Sequence, residues 1–529
     1  EHFAGAFPGI RVATVDATDI ARRHGIGSRS VVIVNTTIAG AYMRLVGMPF
    51  AALQDAYARL GLAANTAAAQ EAWDSVRVLE QVAEPPVAAG GPVAAASPWG
   101  ATVAGDVQPL TEHFEGPAPT LKTGAWRSST PVFSGRMAPC AVACPAGNDV
   151  AGFVQALHRD GPAAAAEILA RTTPFAATCG RVCPGFCKAA CNRAEYDGSV
   201  DTRGLERWVA DHAPIARRGA FTTASPKRVA IVGGGPAGLS AAYQLARAGH
   251  RVVVYEKGAE LGGLLRTGIP PYRLPRDVLD QEIDGILALG VVARFGSTVT
   301  QETIQELAAT YDAVIVSTGL QDTRSLRIEG SDLPGVHQGL DFLEWRNAGE
   351  VERLNDHVVV LGGGNTAIDC ARSALRSGAS SVTVAYRRTR AEMPAIAEEV
   401  DEAIEEGVRF LFQRSPTAFF GNFRVEGMEL AEVEMGAPDD SGRRRPVVTD
   451  RSEILQCDNV LLALGTGADR SLIPSGWELQ GGRLWCEGQA MPVFAAGDVS
   501  TYDGTVAHAI GDGRKAALAV MQDLGDDVA

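Results

Sequence analysis

Short β-branched, apolar runs punctuate the chain from Pro226 onward: Arg228–Val232, Arg251–Tyr255, Ala313–Val316, His357–Leu361 and Ser381–Ala385. Several are separated by helix-length segments, such as Leu239–Ala248 before Gly249, and this alternation predicts a doubly wound parallel sheet. The Gly-rich strand–turn–helix unit occurs twice, over 228–256 and 357–386. Upstream, helical spacing appears at Val150–Arg159 and Ala163–Arg171. Residues 1–84 read as a small α/β unit, with a strand at Ser30–Val34 and Ala-rich helical stretches from Ala51 to Val78. From Pro85 to Gly105, 15 of 21 residues are Ala, Gly or Pro, too little apolar surface to offset chain entropy. The expected order is a unit at 1–84, a linker at 85–121, a helical cysteine-bearing domain at 122–224, and two nucleotide-binding domains. The first of these combines 225–345 with 489–529, and the second is 346–488.

Composition narrows the function. The formal charge is 48 − 62 = −14 with no dense Lys/Arg block, which argues against nucleic acid as a partner. No apolar run approaches the ~18 residues of a spanning helix. Six of the nine cysteines fall between Cys140 and Cys191. An odd count in a long chain without a visible signal peptide favours a reduced, cytoplasmic, metal-binding cluster over disulfides. The first residue is Glu1, not Met, so an N-terminal piece is expected to be missing.

Gly233-x-Gly235-x-x-Gly238 sits between a strand and a helix. Gly233 suits the tight turn, Gly235 the approach of a pyrophosphate, and Gly238 close helix–strand packing. The helix N-terminus offers N–H donors to phosphate. Glu256, at the end of the next strand, can accept from a ribose hydroxyl. The second unit carries Gly362-x-Gly364-x-x-Ala367, followed by Asn365 and Thr366 at its helix start. Its second strand ends in Arg387 and Arg388, with Arg390 nearby, in place of an acid. That pair leans towards the 2′-phosphate of NADP over NAD, with either cofactor left open.

The stretches Leu261–Leu265, Gly268–Pro275, Pro492–Asp498 and Thr505–Arg514 resemble flavin disulfide-reductase-like folds. The resemblance implies FAD at the first unit, with Gly497 and Asp498 at its ribityl and phosphate, and Thr505, Val506 and Ala507 lining the flavin. Gly263, Leu264, Arg273 and Gly319 join the expected cofactor contacts. Hydride would pass from nicotinamide to flavin and leave as single electrons, with no side-chain acid or base.

The phrases Cys140-Ala-Val-Ala-Cys144-Pro and Cys179-Gly-Arg-Val-Cys183-Pro-Gly-Phe-Cys187-Lys-Ala-Ala-Cys191 suit iron–sulfur ligation, with zinc and a purely structural role as alternatives. Together with Asn148-Asp149-Val150, Tyr386-Arg-Arg…Glu392-Met-Pro394 and Ala496-Gly-Asp498, they make 136–529 resemble the small subunit of glutamate synthase and its relatives, including the N-terminal half of dihydropyrimidine dehydrogenase. The resemblance implies a [4Fe–4S] cluster on Cys144, Cys183 and Cys187, with Glu206 as the non-cysteine ligand. Cys140 and Cys191 belong to a second cluster in such relatives. Its two further cysteines are here replaced by Val132 and Gly135, so one conventional cluster is expected.

Val15–Ala21, Val34-Asn35 and Asn65, each of the last two with its following helix, resemble the C-terminal part of the γ domain of 2-oxoacid:acceptor oxidoreductases. Thr123–Arg127 with Pro131-Val132 resembles the start of the ferredoxin-like δ subunit. The leading expectation is an electron-transfer subunit of a 2-oxoacid oxidoreductase complex, moving electrons between partner clusters and NAD(P). Its partners would carry thiamine diphosphate and iron–sulfur clusters, with ferredoxin a further candidate. The alternatives are a glutamate-synthase-type small subunit feeding an amidotransferase, and an assembly adaptor without turnover.

Overall fold

A computed structural model describes residues 12–26, 35–79, 138–213, 225–350, 354, 356–438 and 444–526. The expected strand Ser30–Val34, the linker 85–121, the Thr123–Val132 phrase and Gly135 lie outside the described residues. The chain forms two compact units, 1–136 and 137–529.

In the first unit, strands Val12–Thr14 and Arg77–Leu79 pair antiparallel. Four helices accompany them: Ala17–Arg23, Asn35–Leu45, Phe50–Arg59 and Thr66–Ser75. Small apolar side chains such as Ala21, Ala68 and Ala72 are fully buried with Ile20. The Ala-rich spacing therefore produces helices, as its period predicts.

The second unit opens with the cysteine-bearing helices. Asp149 caps Val150–Asp160 by accepting from the Gly152 N–H at 2.9 Å, and Asp201 caps Thr202–His212 through the Gly204 N–H at 3.1 Å. Gly161, with φ +87°, turns the chain into Pro162–Leu169. This domain has a small core of its own around Phe153, Leu169 and Val209. A larger core, including Phe175 and Cys179, runs on into the first nucleotide-binding domain.

Two sheets follow, the first mixed, with antiparallel pairing among its last three strands in sequence, and the second wholly parallel. The first has seven strands in the order Trp477–Gln480, Arg483–Cys486, Gln489–Ala495, Ala313–Val316, Arg228–Val232, Arg251–Tyr255, Val292–Arg294. The second runs Arg409–Phe412, Ser381–Tyr386, His357–Leu361, Asn459–Leu462, Val336–Gln338, all parallel. A three-stranded antiparallel sheet, Arg414–Phe420, Gly427–Pro438 and Arg444–Gln456, extends the second domain. The five expected strands all form. The domain boundaries at 345/346 and 488/489 are corrected, because Val336–Gln338 pairs in the second sheet while 477–486 pairs in the first. The two connecting segments cross as an antiparallel ribbon, Leu320–Thr323 with Thr466–Ala468. Backbone pairing of short strands, with little periodic pattern of their own, settles which sheet they join.

Close backbone packing and a buried carboxylate tie the first nucleotide-binding domain together and to the cysteine-bearing helices. The C-terminal helix Val506–Asp523 lies on the first fingerprint helix Pro236–Arg247, where a Cβ at Gly513 would sit 2.0 Å from the Ala237 carbonyl oxygen. On another face of the same helix, a Cβ at Gly511 would sit 1.9 Å from the Pro145 carbonyl oxygen. Glu282, buried on helix Arg276–Leu287, accepts from the Ala177 N–H at 2.6 Å and the Thr178 N–H at 3.1 Å. It thereby caps the helix Ala176–Val182 of the neighbouring domain and takes the Thr178 hydroxyl as well. Its carboxyl is pushed up to about 7 by burial.

Glu282→Ala removes three acceptor contacts and strands two buried N–H groups. The expected loss is about 1–3 kcal/mol per stranded donor, read by chemical denaturation beside the wild type. An unchanged midpoint would refute this capping role.

Candidate functional site

At the first fingerprint the three glycines divide their work. Gly233 has φ +103°, and a Cβ there would lie 2.6 Å from the Ser317 carbonyl oxygen. A Cβ on Gly238 would lie 2.1 Å from the Gly233 carbonyl oxygen. A Cβ on Gly235 would meet nothing within 4 Å, so that side of the backbone faces open space where a pyrophosphate would lie. Gly263 comes over this turn, its would-be Cβ 3.0 Å from the Gly235 Cα. Leu264 follows as an exposed residue opening the helix Leu264–Thr267. Glu256 is buried and accepts from the Gly234 N–H and the Gly258 N–H, both at 2.8 Å. It shapes the turn with one contact per oxygen, and a carboxylate retains further lone pairs for a ribose hydroxyl.

Gly497 packs on the start of the same helix, its would-be Cβ 2.7 Å from the Ala237 Cβ. Asp498 accepts from the Gly504 N–H at 2.8 Å and so closes the loop that leads to Thr505. Thr505 caps the C-terminal helix through the His508 N–H, and Val506 and Ala507 form its first turn. Gly319 stands just past the end of strand Ala313–Val316 with open space around it. Glu256, Gly263, Gly497 and Asp498 therefore gather around one turn.

Arg273 does not join them. Its guanidinium contacts both oxygens of Asp369, at 2.8 and 2.7 Å, and pairs with Glu399. All three are buried, and the neighbouring Tyr272 ring lies 4.0 Å from the Arg376 guanidinium. The expected cofactor contact is corrected to a clasp between the two nucleotide-binding domains. Removing one partner of a buried charge network leaves the others unpaired, which makes it costly to open.

The second fingerprint repeats the plan. A Cβ at Gly362 would meet the Ala463 carbonyl oxygen at 2.2 Å, whereas Gly364 faces open space. Asn365 and Thr366 begin the helix Asn365–Arg376, and Asn365 accepts from the Ile396 N–H at 3.0 Å. Of the expected cationic pair, Arg387 is exposed and has no ion-pair partner among the described residues. Arg388 is buried and donates to the Arg444 carbonyl at 3.1 Å, which corrects its expected role. Arg390 pairs with Asp401.

The cysteines separate into two sets. Cys144, Cys179, Cys183 and Cys187 line one cavity with Glu206, Asn148 and Thr202. Ala507, from the first turn of the C-terminal helix, lines it too. Cys179 is absent from the expected ligand set. Its spacing of four from Cys183, one helical turn, is the signal that places both on one face. The helices Ala176–Val182 and Thr202–His212 touch at Gly180, where a Cβ would sit 2.5 Å from the Arg207 backbone. That approach brings Glu206 against the thiols. Glu206 accepts from the Asn148 amide at 3.1 Å, and burial next to Glu282 pushes its carboxyl up to about 8.

Burial raises all four thiols, Cys183 to about 12. The charged groups acting most strongly on them are one another, Glu206 and Glu282. No cation among these offsets the set, and iron supplies the positive charge such thiolates need. Donors also aim at sulfur: the Gly185 N–H lies 3.4 Å from Cys183 Sγ and the Thr202 hydroxyl 2.8 Å from Cys187 Sγ. Four thiols and a carboxylate on one cavity suit an iron–sulfur cluster. Cys140 and Cys191 do not line this cavity. The Cys191 thiol is held below its usual range by the Val200 and Arg193 N–H groups.

Comparison with known proteins agrees. Residues 227–513 match the family of pyridine nucleotide-disulphide oxidoreductases, and 123–217 match dihydropyrimidine dehydrogenase domain II, 4Fe-4S cluster. The chain is 40% identical to the NADP(+)-dependent formate dehydrogenase subunit beta of Moorella thermoacetica, over 73% of this chain and 60% of that one. It is 36% identical to the NADPH-Fe(3+) oxidoreductase subunit beta of Geobacter sulfurreducens, over 73% and 63%. The match to the glutamate synthase [NADPH] small chain of Halomonas elongata is 35%, over 73% and 88%. The chain thus spans under two thirds of the length of the first two. Neither family match reaches residues 1–122. FAD, NAD(P) and a 4Fe–4S cluster are its cofactors.

Two substitutions separate the sites. Gly235→Val fills the open space at the first turn and is expected to yield chain that retains iron but lacks FAD. Gly180→Val drives the two cluster-domain helices apart and is expected to lose iron while FAD stays. Cofactor analysis of each purified variant reads both outcomes, and a fully flavinated Gly235→Val or an iron-replete Gly180→Val would refute the respective assignment.

Proposed function

Because the chain belongs to the pyridine nucleotide-disulphide oxidoreductase family, we propose that it is the electron-transfer flavoprotein subunit of a 2-oxoacid oxidoreductase complex. Its partners would carry thiamine diphosphate and further iron–sulfur clusters, with ferredoxin a candidate acceptor. FAD, when bound, would supply hydride exchange with NAD(P), two electrons and one proton, and single-electron transfer on its iron–sulfur side. The chain's own residues bind and orient. Gly233, Gly235 and Gly238 admit the flavin nucleotide's pyrophosphate, Glu256 its ribose, and Thr505, Val506 and Ala507 face the flavin. Cys144, Cys183 and Cys187 hold the cluster with Glu206.

One observation carries the electron-transfer reading: Ala507 belongs both to the turn assigned to flavin and to the wall of the thiol cavity. The two centres are then neighbours, with only the helix start between them. The 2-oxoacid assignment rests on the phrases of residues 11–84 and on a separate N-terminal unit with its own core. A second reading has its own support. The chain covers 88% of the glutamate synthase small chain, so delivery of NADPH electrons to an amidotransferase partner is the alternative.

Arg387, exposed just past the strand end and without an ion-pair partner among the described residues, is assigned to the 2′-phosphate of NADP. A lost charge-assisted hydrogen bond is worth about 1.5–3 kcal/mol, so Arg387→Ala should raise the KM for NADPH roughly 10- to 100-fold and leave that for NADH unchanged. Steady-state kinetics with both nucleotides tests this. Co-purification from the native host tests the complex: thiamine-binding subunits support it, and a large amidotransferase replaces it with the second reading. Iron analysis tests the cluster count. About four irons per FAD are expected for one cluster, and twice that would overturn it.

A further inference from the structure

We propose that His508 is a positioning residue that sets the spacing between the thiol cavity and the flavin-facing turn. The inference rests on the reading above, in which that turn meets FAD and the cavity holds the cluster.

His508 is the third residue of the C-terminal helix and is half-buried. Its Nδ1 lies 2.8 Å from the Thr505 hydroxyl, and its backbone N–H donates to the same oxygen at 3.3 Å. The side chain is thus tied back to the helix cap. The imidazole meets the Phe186 ring edge to face, with centroids 4.9 Å apart at 79°. Phe186 stands between Cys183 and Cys187 in the chain and lines the cavity with both. Gly185, with φ +80°, turns the backbone just ahead of it. One ring is therefore braced on the flavin-facing turn at one side and on the segment between two thiols at the other.

Such an aromatic pair contributes modestly to stability beyond burial. Its geometric effect is larger, because both rings stand on short segments that each hold a functional group. Neither contact involves the second fingerprint. The imidazole therefore bears on the one-electron step from flavin to cluster and leaves hydride arrival from NAD(P)H alone. In the first turnover, NAD(P)H delivers two electrons and one proton as hydride. One electron then reduces the oxidised cluster, the other stays on the flavin, and the proton is retained there or released to solvent.

The test uses the full chain with both cofactors, mixed rapidly with NADPH without oxygen. Flavin bleaching is followed at its visible band, and cluster reduction by freeze-quench EPR. His508→Ala should bleach as fast as wild type but reduce its cluster several-fold more slowly. His508→Phe, which keeps a ring against Phe186, should recover most of that loss. Amide hydrogen exchange at 186–188 and 506–508 should quicken in His508→Ala and return towards wild type in His508→Phe. A His508→Ala chain with both phases at wild-type rates overturns this inference alone, as does one slowed equally in both. A wild-type chain whose flavin NADPH does not bleach, or which carries no reducible cluster, overturns the underlying reading and this inference with it.

Discussion

Backbone-to-backbone approach along the C-terminal helix is the constraint on which the cofactor arrangement depends. Residues two apart on a helix point to nearly opposite sides. Gly511 therefore meets the Pro145 carbonyl while Gly513 meets Ala237, and the Ser240 hydroxyl donates to the Ile510 carbonyl at 2.8 Å between them. A methyl group at either glycine would push the helix away from a rigid main chain. The same helix begins with the Thr505–Ala507 turn and carries Ala507 into the thiol cavity. Seating it fixes the first fingerprint, the flavin-facing turn and the Cys144 loop at once.

Electrostatics divides the molecule differently. Around the thiols, buried Glu206 and Glu282 stand with four sulfurs, and each acid raises the cost of a thiolate there, an arrangement that favours bound iron. Between the nucleotide-binding domains, Arg273 meets two buried acids, Asp369 and Glu399. On the next residue, Glu398 takes Lys188 and Arg203 from the cysteine-bearing domain. The helix Ala397–Glu405 is thus held from both other domains through adjacent side chains. The exposed Glu398 pairs are individually weak. The buried Arg273 network gives the clasp its resistance to opening.

Much of this was legible in the chain. Each fingerprint lies where strand, turn and helix signals meet, and the tight-turn, open-space and close-packing roles follow from the absence of a Cβ alone. Misassignments arose where a residue's partner is distant. Arg273 reads as a cofactor contact in its local phrase, but its acids lie 96 and 126 residues on. Arg388 sits beside Arg387 just past the strand Ser381–Tyr386, yet one is buried and the other exposed. Cys179 lies outside the ligand set that the resemblance implies, which gives the fourth position to Glu206, yet it lines the same cavity.

What the sequence determined by itself is therefore local: two dinucleotide turns, the strands and helices that present them, and a crowded set of thiols. Backbone conformation and side-chain period set these over a few residues, so no distant partner is needed. The tertiary structure alone decided which thiols share a cavity, which of the paired arginines is exposed, which short strands join which sheet, and that the cavity abuts the Thr505–Ala507 turn. Those outcomes depend on contacts between segments tens to hundreds of residues apart, such as Gly180 with Arg207 and Gly511 with Pro145. No local pattern encodes such contacts, because their energy exists only once both backbones have met.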